Sequence, residues 1–477
     1  MWRFPDKLLK ALPALLTLLA VLAIGYWLLI DPTRSMEPSV PGKDAVSTTA
    51  GTVETITIGS LFEAFAEESS DLTDSWTRFR GSASDNIKRG GSPLISTFRD
   101  VASHLRWSVE LGEGHSGAAI YAGKVYVLDY DETKRADLLR CFSLTSGKEL
   151  WRRGYDIVVK RNHGMSRTVP AVTDKFVLTI GPRGHVMCVE RTTGRFLWGL
   201  DIATTYQSEI PLWYTGQCPL IVGDTAIIAT GGKALLVGVD CHTGKVLWET
   251  PNPDNWKMSH ASVMPYTYKG VRMYVYSAVG GVAGVVADGP EAGRVLWQTA
   301  LWNKSVVAPS AVCMPDGKVF LTAGYGAGSL LLQLTKDNGT WKVESLGSFK
   351  PGEALSSEQQ TPILLDGHLL GVMPKDARSL RNQLVCVKAD NPAEVVWSSG
   401  PESRFGLGPY MLADDKLFLL NDDATLYIIK KSLKGYHELD KIALFEGHDA
   451  WAPLAVADGY MVLRDSKTMI CLDLNQR

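Results

Sequence analysis

The phrase Gly-[Lys/Arg]-x-Leu-Trp occurs four times in this chain, and its spacing restricts the fold more than any other feature. It reads Gly147-Lys148-Glu149-Leu150-Trp151, Gly194-Arg195-Phe196-Leu197-Trp198, Gly244-Lys245-Val246-Leu247-Trp248 and Gly293-Arg294-Val295-Leu296-Trp297. The tryptophans are 47, 50 and 49 residues apart, and Trp107 precedes the first by 44. Trp397 follows Trp297 by 100, which fits two more repeats, the intervening one degenerate around Asn338-Gly339-Thr340-Trp341. A period of roughly 40–50 residues in a strand-rich chain is the mark of a β-propeller.

Each repeat also reads as strands. Val125-Tyr126-Val127-Leu128, Phe176-Val177-Leu178-Thr179-Ile180 and Lys318-Val319-Phe320-Leu321-Thr322 are short β-rich runs bounded by Gly, Asp or Pro. Thr-Gly-Lys supplies a tight turn, because glycine accepts positive φ at no steric cost. The tryptophan that follows opens an outer strand. Recurring once per blade, Trp107, Trp151, Trp198, Trp248, Trp297 and Trp397 are predicted to dock between neighbouring blades, burying roughly 200 Å² each. Innermost strands are predicted to begin near Ala118, Val169, Cys218, Ala261, Ala308, Thr361, Pro409 and Ala452. The last repeat lacks an outer strand, and the first is preceded by a surplus one around Leu105–Leu111. Pairing these two leftovers closes the ring and leaves no bare edge. The expectation is an all-β, eight-bladed propeller of four-stranded antiparallel blades over residues 76–477.

The N-terminus has a different character. Residues 1–10 hold Arg3, Lys7 and Lys10 against Asp6, and Ala11–Ile30 then runs twenty residues without a charge. As a helix that run is about 30 Å long, enough for a bilayer. The basic flank predicts a cytoplasmic N-terminus, a single transmembrane anchor over 11–30 and a propeller in the periplasm or another extracytoplasmic space. A cleaved signal peptide is the alternative, but Tyr26-Trp27-Leu28-Leu29-Ile30 prolongs the apolar run beyond the small residues at Ala23 and Gly25. Residues 31–75 read as a flexible tether, Pro-, Ser-, Thr- and Gly-rich at first. Ser60 with Glu63 forms a capping-box pattern that predicts a short helix near 60–69.

Composition narrows the function. The net charge of −2 provides no global basic field, so no nucleic-acid partner is expected. Of seven cysteines, Cys141, Cys188, Cys386 and Cys471 fall at equivalent positions of the repeat, where a small buried hydrophobe suffices. No CxxC or metal-spaced Cys/His cluster occurs, so no metal site is expected.

The copy Leu236-Val237-Gly238-Val239-Asp240-Cys241-His242-Thr243-Gly244-Lys245-Val246-Leu247-Trp248 resembles the pyrroloquinoline-quinone-like (PQQ-like) repeat. That repeat is shared by the quinoprotein alcohol dehydrogenase-like superfamily and the outer-membrane assembly factor BamB. Trp76-Thr77-Arg78-Phe79-Arg80-Gly81 looks like the Trp-x-x-Phe-Arg-Gly lead-in of many PQQ-like propellers. The resemblance spans roughly residues 76–477 and implies the fold; one fold hosts many functions. The dehydrogenases resemble one another in an adjacent cysteine pair at the quinone, and this chain has no Cys-Cys.

Propeller ligands sit where the innermost strands begin. Aligning the repeats there places Gln217, His260, Gln360 and Trp451 on a ring at the channel mouth, with His115, Arg167, Glu358, His448 and Asp449 nearby. Such a mixture suits an anionic or aromatic ligand, whereas a hydrated polar channel needs no ligand at all. No catalytic residue can be named. Gly324-Tyr325-Gly326-Ala327-Gly328 reads as a strand-end turn, since no helix follows to make a phosphate cradle. The chain is therefore expected to be a membrane-anchored module that binds a protein or envelope component, without a cofactor. A PQQ- and calcium-dependent dehydrogenase and a ligand- or carbohydrate-binding sensor are the alternatives.

Overall fold

The computed structural model describes residues 6–29, 56–447 and 449–476. They belong to two units, one within residues 1–55 and one over 56–477. In the first, a single helix spans Asp6–Leu29 with Pro13 inside it. Among the described residues no helix is long and apolar enough to cross a membrane. Ile30, at the end of the expected span, and residues 31–55 of the expected tether lie outside the described residues.

The second unit is an eight-bladed propeller of four-stranded antiparallel blades. Its innermost strands are Ala119–Tyr121, Ala171–Val172, Leu220–Val222, Met264–Tyr268, Val312–Cys313, Ile363–Leu365, Tyr410–Ala413 and Ala455–Ala457, which define blades 1 to 8 in chain order. The second and third strands of each blade are nearly all buried, as expected for sheets covered on both faces. Blade 8 has three strands from the C-terminus, and Leu105–Glu110 supplies its fourth by pairing with Thr468–Asp473. The surplus strand at one end thus fills the vacancy at the other.

The Leu-Trp signature has a mechanical origin. In the third strand of each blade that carries the tryptophan, the residue opposite the ring is small: Cys141, Cys188, Gly238, Gly284, Cys386 and Cys471. The ladder shifts register immediately after each of these residues, a β-bulge that leaves the residue before the tryptophan unpaired and re-aims the indole. The indole then reaches the next blade. A Cβ added to Gly147 would lie 2.5 Å from the Trp107 ring, and Gly194, Gly244 and Gly293 stand in the same relation to Trp151, Trp198 and Trp248. The glycine of each turn (φ 71° at Gly147) therefore both makes the turn and clears the floor for the neighbour's tryptophan. Trp107 Nε1 donates to the Leu144 carbonyl at 2.7 Å, and Trp198 Nε1 to that of Cys241 at 2.9 Å. Trp107, Trp151, Trp198 and Trp297 are buried; Trp248 and Trp397 are half-buried. All seven cysteines are free thiols.

One expectation about the lead-in is corrected. The segment near 60–69 is not a helix: Leu61–Ala64 is a strand added to the outer edge of blade 1, with Phe62 opposite Arg153. The exposed edge of Glu149–Asp156 offers backbone partners that outweigh a local capping box. Arg153 and Arg152 lie over the Phe62 and Phe65 rings at 4.2 and 4.8 Å, and Glu68 accepts from Ser143, Thr145 and Ser146. The compact unit that contains the propeller begins at Ile56.

The Trp76–Gly81 lead-in forms a stopper in the channel. Ser75–Trp76 pairs with the innermost strand of blade 1, and Ile87–Lys88 runs parallel to that of blade 7. Between them, Thr77 accepts from Val172 N in blade 2, Arg78 donates to Ile221 in blade 3, and Arg80 donates to Pro362 beside blade 6. Because Ser75 pairs with Tyr121, at the far end of the strand that starts at the mouth, the hairpin enters from the opposite face.

Candidate functional site

With the far end stopped, the channel becomes a blind cavity of about 340 Å³, and Phe79 forms part of its lining. The loops that precede the innermost strands provide most of the wall. His115, Arg167, His260, Glu358, Gln360 and Trp451 all line it, each preceding the innermost strand of a different blade except Glu358 and Gln360, which share the loop before that of blade 6. A smaller cavity of about 200 Å³ between Glu358, Asn382 and Asp422 shares Glu358, Gln360 and Leu407 with it.

Of the residues expected at the mouth, Gln217 on the ring and Asp449 beside it are placed otherwise, and one more is not described. Gln217 is buried, and its amide is spent on one backbone residue: Nε2 donates to the Ala229 carbonyl and Oε1 accepts from Ala229 N. Its neighbours Gly216 and Cys218 line the cavity instead. Asp449 is not among the lining residues, and its carbonyl accepts from Trp451 N at 2.8 Å. His448 lies outside the described residues.

Sequence reasoning missed Trp213, Tyr325 and Lys375, which also line the cavity. Trp213 stacks on Tyr325 with centroids 5.7 Å apart and planes at 19°, and His260 lies 6.1 Å from Trp213. Tyr325 occupies the tip of the Gly324–Gly328 turn, closed by Ala327 N donating to the Gly324 carbonyl, so the strand-end turn is real and carries an exposed aromatic ring. An aromatic residue flanked by glycines at a hairpin tip was the available signal. On another side of the mouth, His115 and Trp451 rings are 4.9 Å apart, and Trp451 Nε1 donates to Asp422 Oδ1 at 3.1 Å.

Burial dominates the electrostatics. It pushes the His115 imidazole down to about 3, helped by Arg167 and Arg464, and His260 down to about 4, helped by Arg167. Both rings are neutral at pH 7. Arg167 is lowered by burial to about 10 and stays a cation. Burial raises the Glu358 carboxyl, with Lys375 opposing the shift. The Cys218 thiol is pushed up to about 12 by burial, so it is no nucleophile.

These residues do not fit a calcium–quinone centre. Calcium takes about 6–8 oxygen ligands, whereas Glu358 is the one carboxylate in the lining. Among the described residues no group of three or more His, Cys, Asp or Glu is placed to hold a metal ion.

Comparison with known proteins agrees with the architecture. A family described as outer membrane protein assembly factor BamB matches residues 89–210 and 134–369, together more than half of the chain. No curated protein matches in sequence. Among solved structures, BamB from Moraxella catarrhalis is 13% identical with a TM-score of 0.52, covering 77% of this chain and 99% of that one. A europium-containing methanol dehydrogenase is 10% identical with a TM-score of 0.59, covering 84% and 98%. The quinohemoprotein alcohol dehydrogenase from Comamonas testosteroni is 11% identical with a TM-score of 0.53, covering 84% and 81%. At such identities the likeness establishes the fold alone.

Proposed function

This chain belongs to the family of the outer membrane protein assembly factor BamB, and on that premise we propose that it is a non-catalytic propeller that binds a protein partner in the cell envelope. The observation that carries the proposal is the makeup of the cavity at the channel mouth. Three histidines, two of them held neutral by burial, two cations, one carboxylate and four aromatic rings converge there, with no activated nucleophile and no base set against a reactive group. That inventory can bind but supplies no reaction. On the loops of the same face, Val158, Leu212, Leu301 and Tyr325 are more than half exposed. Exposed apolar groups gathered around a concave centre are suited to a protein interface.

Attachment to a membrane with the propeller on the extracytoplasmic side is part of this proposal, motivated by the uncharged run Ala11–Ile30 and the basic residues that precede it in the sequence. Two measurements test the proposal. A photo-crosslinking residue in place of Leu212 or Leu301 should give discrete polypeptide adducts in cells, and one at the stopper face near Arg89 should not. Titration with PQQ and calcium should leave no quinone absorbance on the protein. Stoichiometric, calcium-dependent quinone uptake with alcohol oxidation would replace the binding module by a dehydrogenase.

A further inference from the structure

The cavity wall carries a cation that the protein does not neutralise. Arg167 spends Nη2 on the carbonyls of Asn162, His163 and Gly164, at 2.8, 2.7 and 3.4 Å. Its Nε is buried with no hydrogen-bond partner. No carboxylate among the described residues forms an ion pair with it, and burial raises the carboxyl of Glu358, the one carboxylate of the lining. Beside it, His115 Nε2 lies 3.0 Å from the His163 carbonyl and must be the donor there, so Nδ1 is a buried acceptor without a partner. A desolvated cation without a counter-charge is costly, and an anion entering the cavity relieves that cost. One uncompensated charge matches a monoanion better than a phosphate dianion, and the planar guanidinium fits a carboxylate. The stacked Trp213–Tyr325 pair at the rim presents a flat apolar face that accepts another ring.

We propose that the channel mouth binds a carboxylate borne beside an aromatic ring, Arg167 holding the carboxylate and the Trp213–Tyr325 pair the ring. A free aromatic acid and a polypeptide ending in an aromatic residue both offer this chemistry, and the second source rests on the partner-binding reading above. In either case the stopper sets the depth of entry, since Phe79 lines the cavity from the opposite face.

Calorimetric titration of the full chain in detergent micelles tests the assignment. The probes are N-acetylphenylalanine, its amide, and a short peptide ending in phenylalanine as the acid and as the amide. The acids should bind about tenfold or more tightly than the amides, the scale of one charge-assisted contact. Arg167→Gln should erase that preference, and Tyr325→Ala, at an exposed tip, should weaken the acids several-fold with the thermal midpoint unchanged. A peptide acid that binds more tightly than N-acetylphenylalanine assigns the site to a chain terminus; equal affinities assign it to a small acid. Equal binding of acids and amides, or no binding by any probe, overturns the proposal. If Arg167→Gln does not fold, the acid–amide comparison and Tyr325→Ala still decide. Loss of these affinities with cellular adducts intact refutes the site alone, and the converse refutes the partner reading alone.

Discussion

Trp107 holds the seam of the ring, so replacing it by alanine tests closure and blade docking together. The indole is 7% exposed and its Nε1 donates to the Leu144 carbonyl at 2.7 Å. Burial of roughly 200 Å² of ring surface at about 25 cal/mol/Å² gives an upper bound near 5 kcal/mol. Truncating buried tryptophans costs about 3–5 kcal/mol, and that is the loss expected for Trp107→Ala. The companion change is Gly147→Ala. Its new Cβ would sit 2.5 Å from the Trp107 ring at a φ of 71°, an overpacking cost of about 1–3 kcal/mol added to a backbone penalty of about 1 kcal/mol. With Trp107 already alanine the clash disappears and only the backbone penalty remains. The double-mutant cycle should therefore show a coupling of about 1–3 kcal/mol. Urea unfolding of the full chain in detergent, followed by far-ultraviolet circular dichroism, measures the stabilities. Hydrogen exchange in Thr468–Asp473 and Leu105–Glu110 locates the loss. Additive effects, or a Trp107→Ala cost below about 1 kcal/mol, would refute the seam contact.

The half-buried Trp248 should matter less, with Trp248→Ala costing about 2–4 kcal/mol by the same assay; a cost equal to a surface substitution would deny it a docking role. Deleting residues 56–68 removes the strand on blade 1 and the Ile56 and Ile58 contacts, and should lower the thermal midpoint by about 2–4 °C per kcal/mol lost; an unchanged midpoint would return this segment to the tether. Burial holds the Asp137 carboxyl up at about 7, with Tyr155 donating to it at 2.7 Å. The folded state keeps a proton that the unfolded chain has released, so this contribution is present below about pH 4 and is lost as pH rises toward 7, at no more than about 1.4 kcal/mol per unit. Asp137→Asn should flatten that limb of the stability profile, and an unaltered slope between pH 4 and 7 would contradict it. The depressed histidines act in the opposite sense: stability falls as pH drops below about 6.5, and His115→Gln should reduce that fall when unfolding is compared at pH 6.5 and 4.5.

Much of this architecture is legible in the sequence because one structural device is repeated. The turn glycine and the tryptophan recur in most blades, so their spacing counts the blades and exposes the surplus strand that closes the ring. What the sequence hides depends on contacts without a period. Ser60 and Glu63 look like a helix cap because the edge they join, at Trp151 to Gly154, is distant in the chain. Gln217 sits at an equivalent ring position, but its side chain turns back to Ala229, and repeat alignment says nothing of rotamers. Trp213, Tyr325 and Lys375 come from insertions and hairpin tips that the repeat does not share. His115, Arg167, His260, Glu358, Gln360 and Trp451 were legible because they flank the one feature every blade must have, the start of its innermost strand.

The seam also dictates an order of events during synthesis. Trp107 and its partner Cys471 are separated by about 360 residues, so the strand that closes blade 8 is made early and must wait for nearly the whole chain. Blades can form one after another as neighbours stack, but until Thr468–Asp473 emerges the nascent ring has two open edges, each able to recruit a foreign strand. The stopper, which spans blades 1, 2, 3, 6 and 7, cannot be seated before blade 7 exists. The blind cavity therefore forms only after blade 7 is in place and Trp451 and Pro453, which line it, have followed. Without Thr468–Asp473 in place, Leu105–Glu110 has no partner and the ring stays open at its seam.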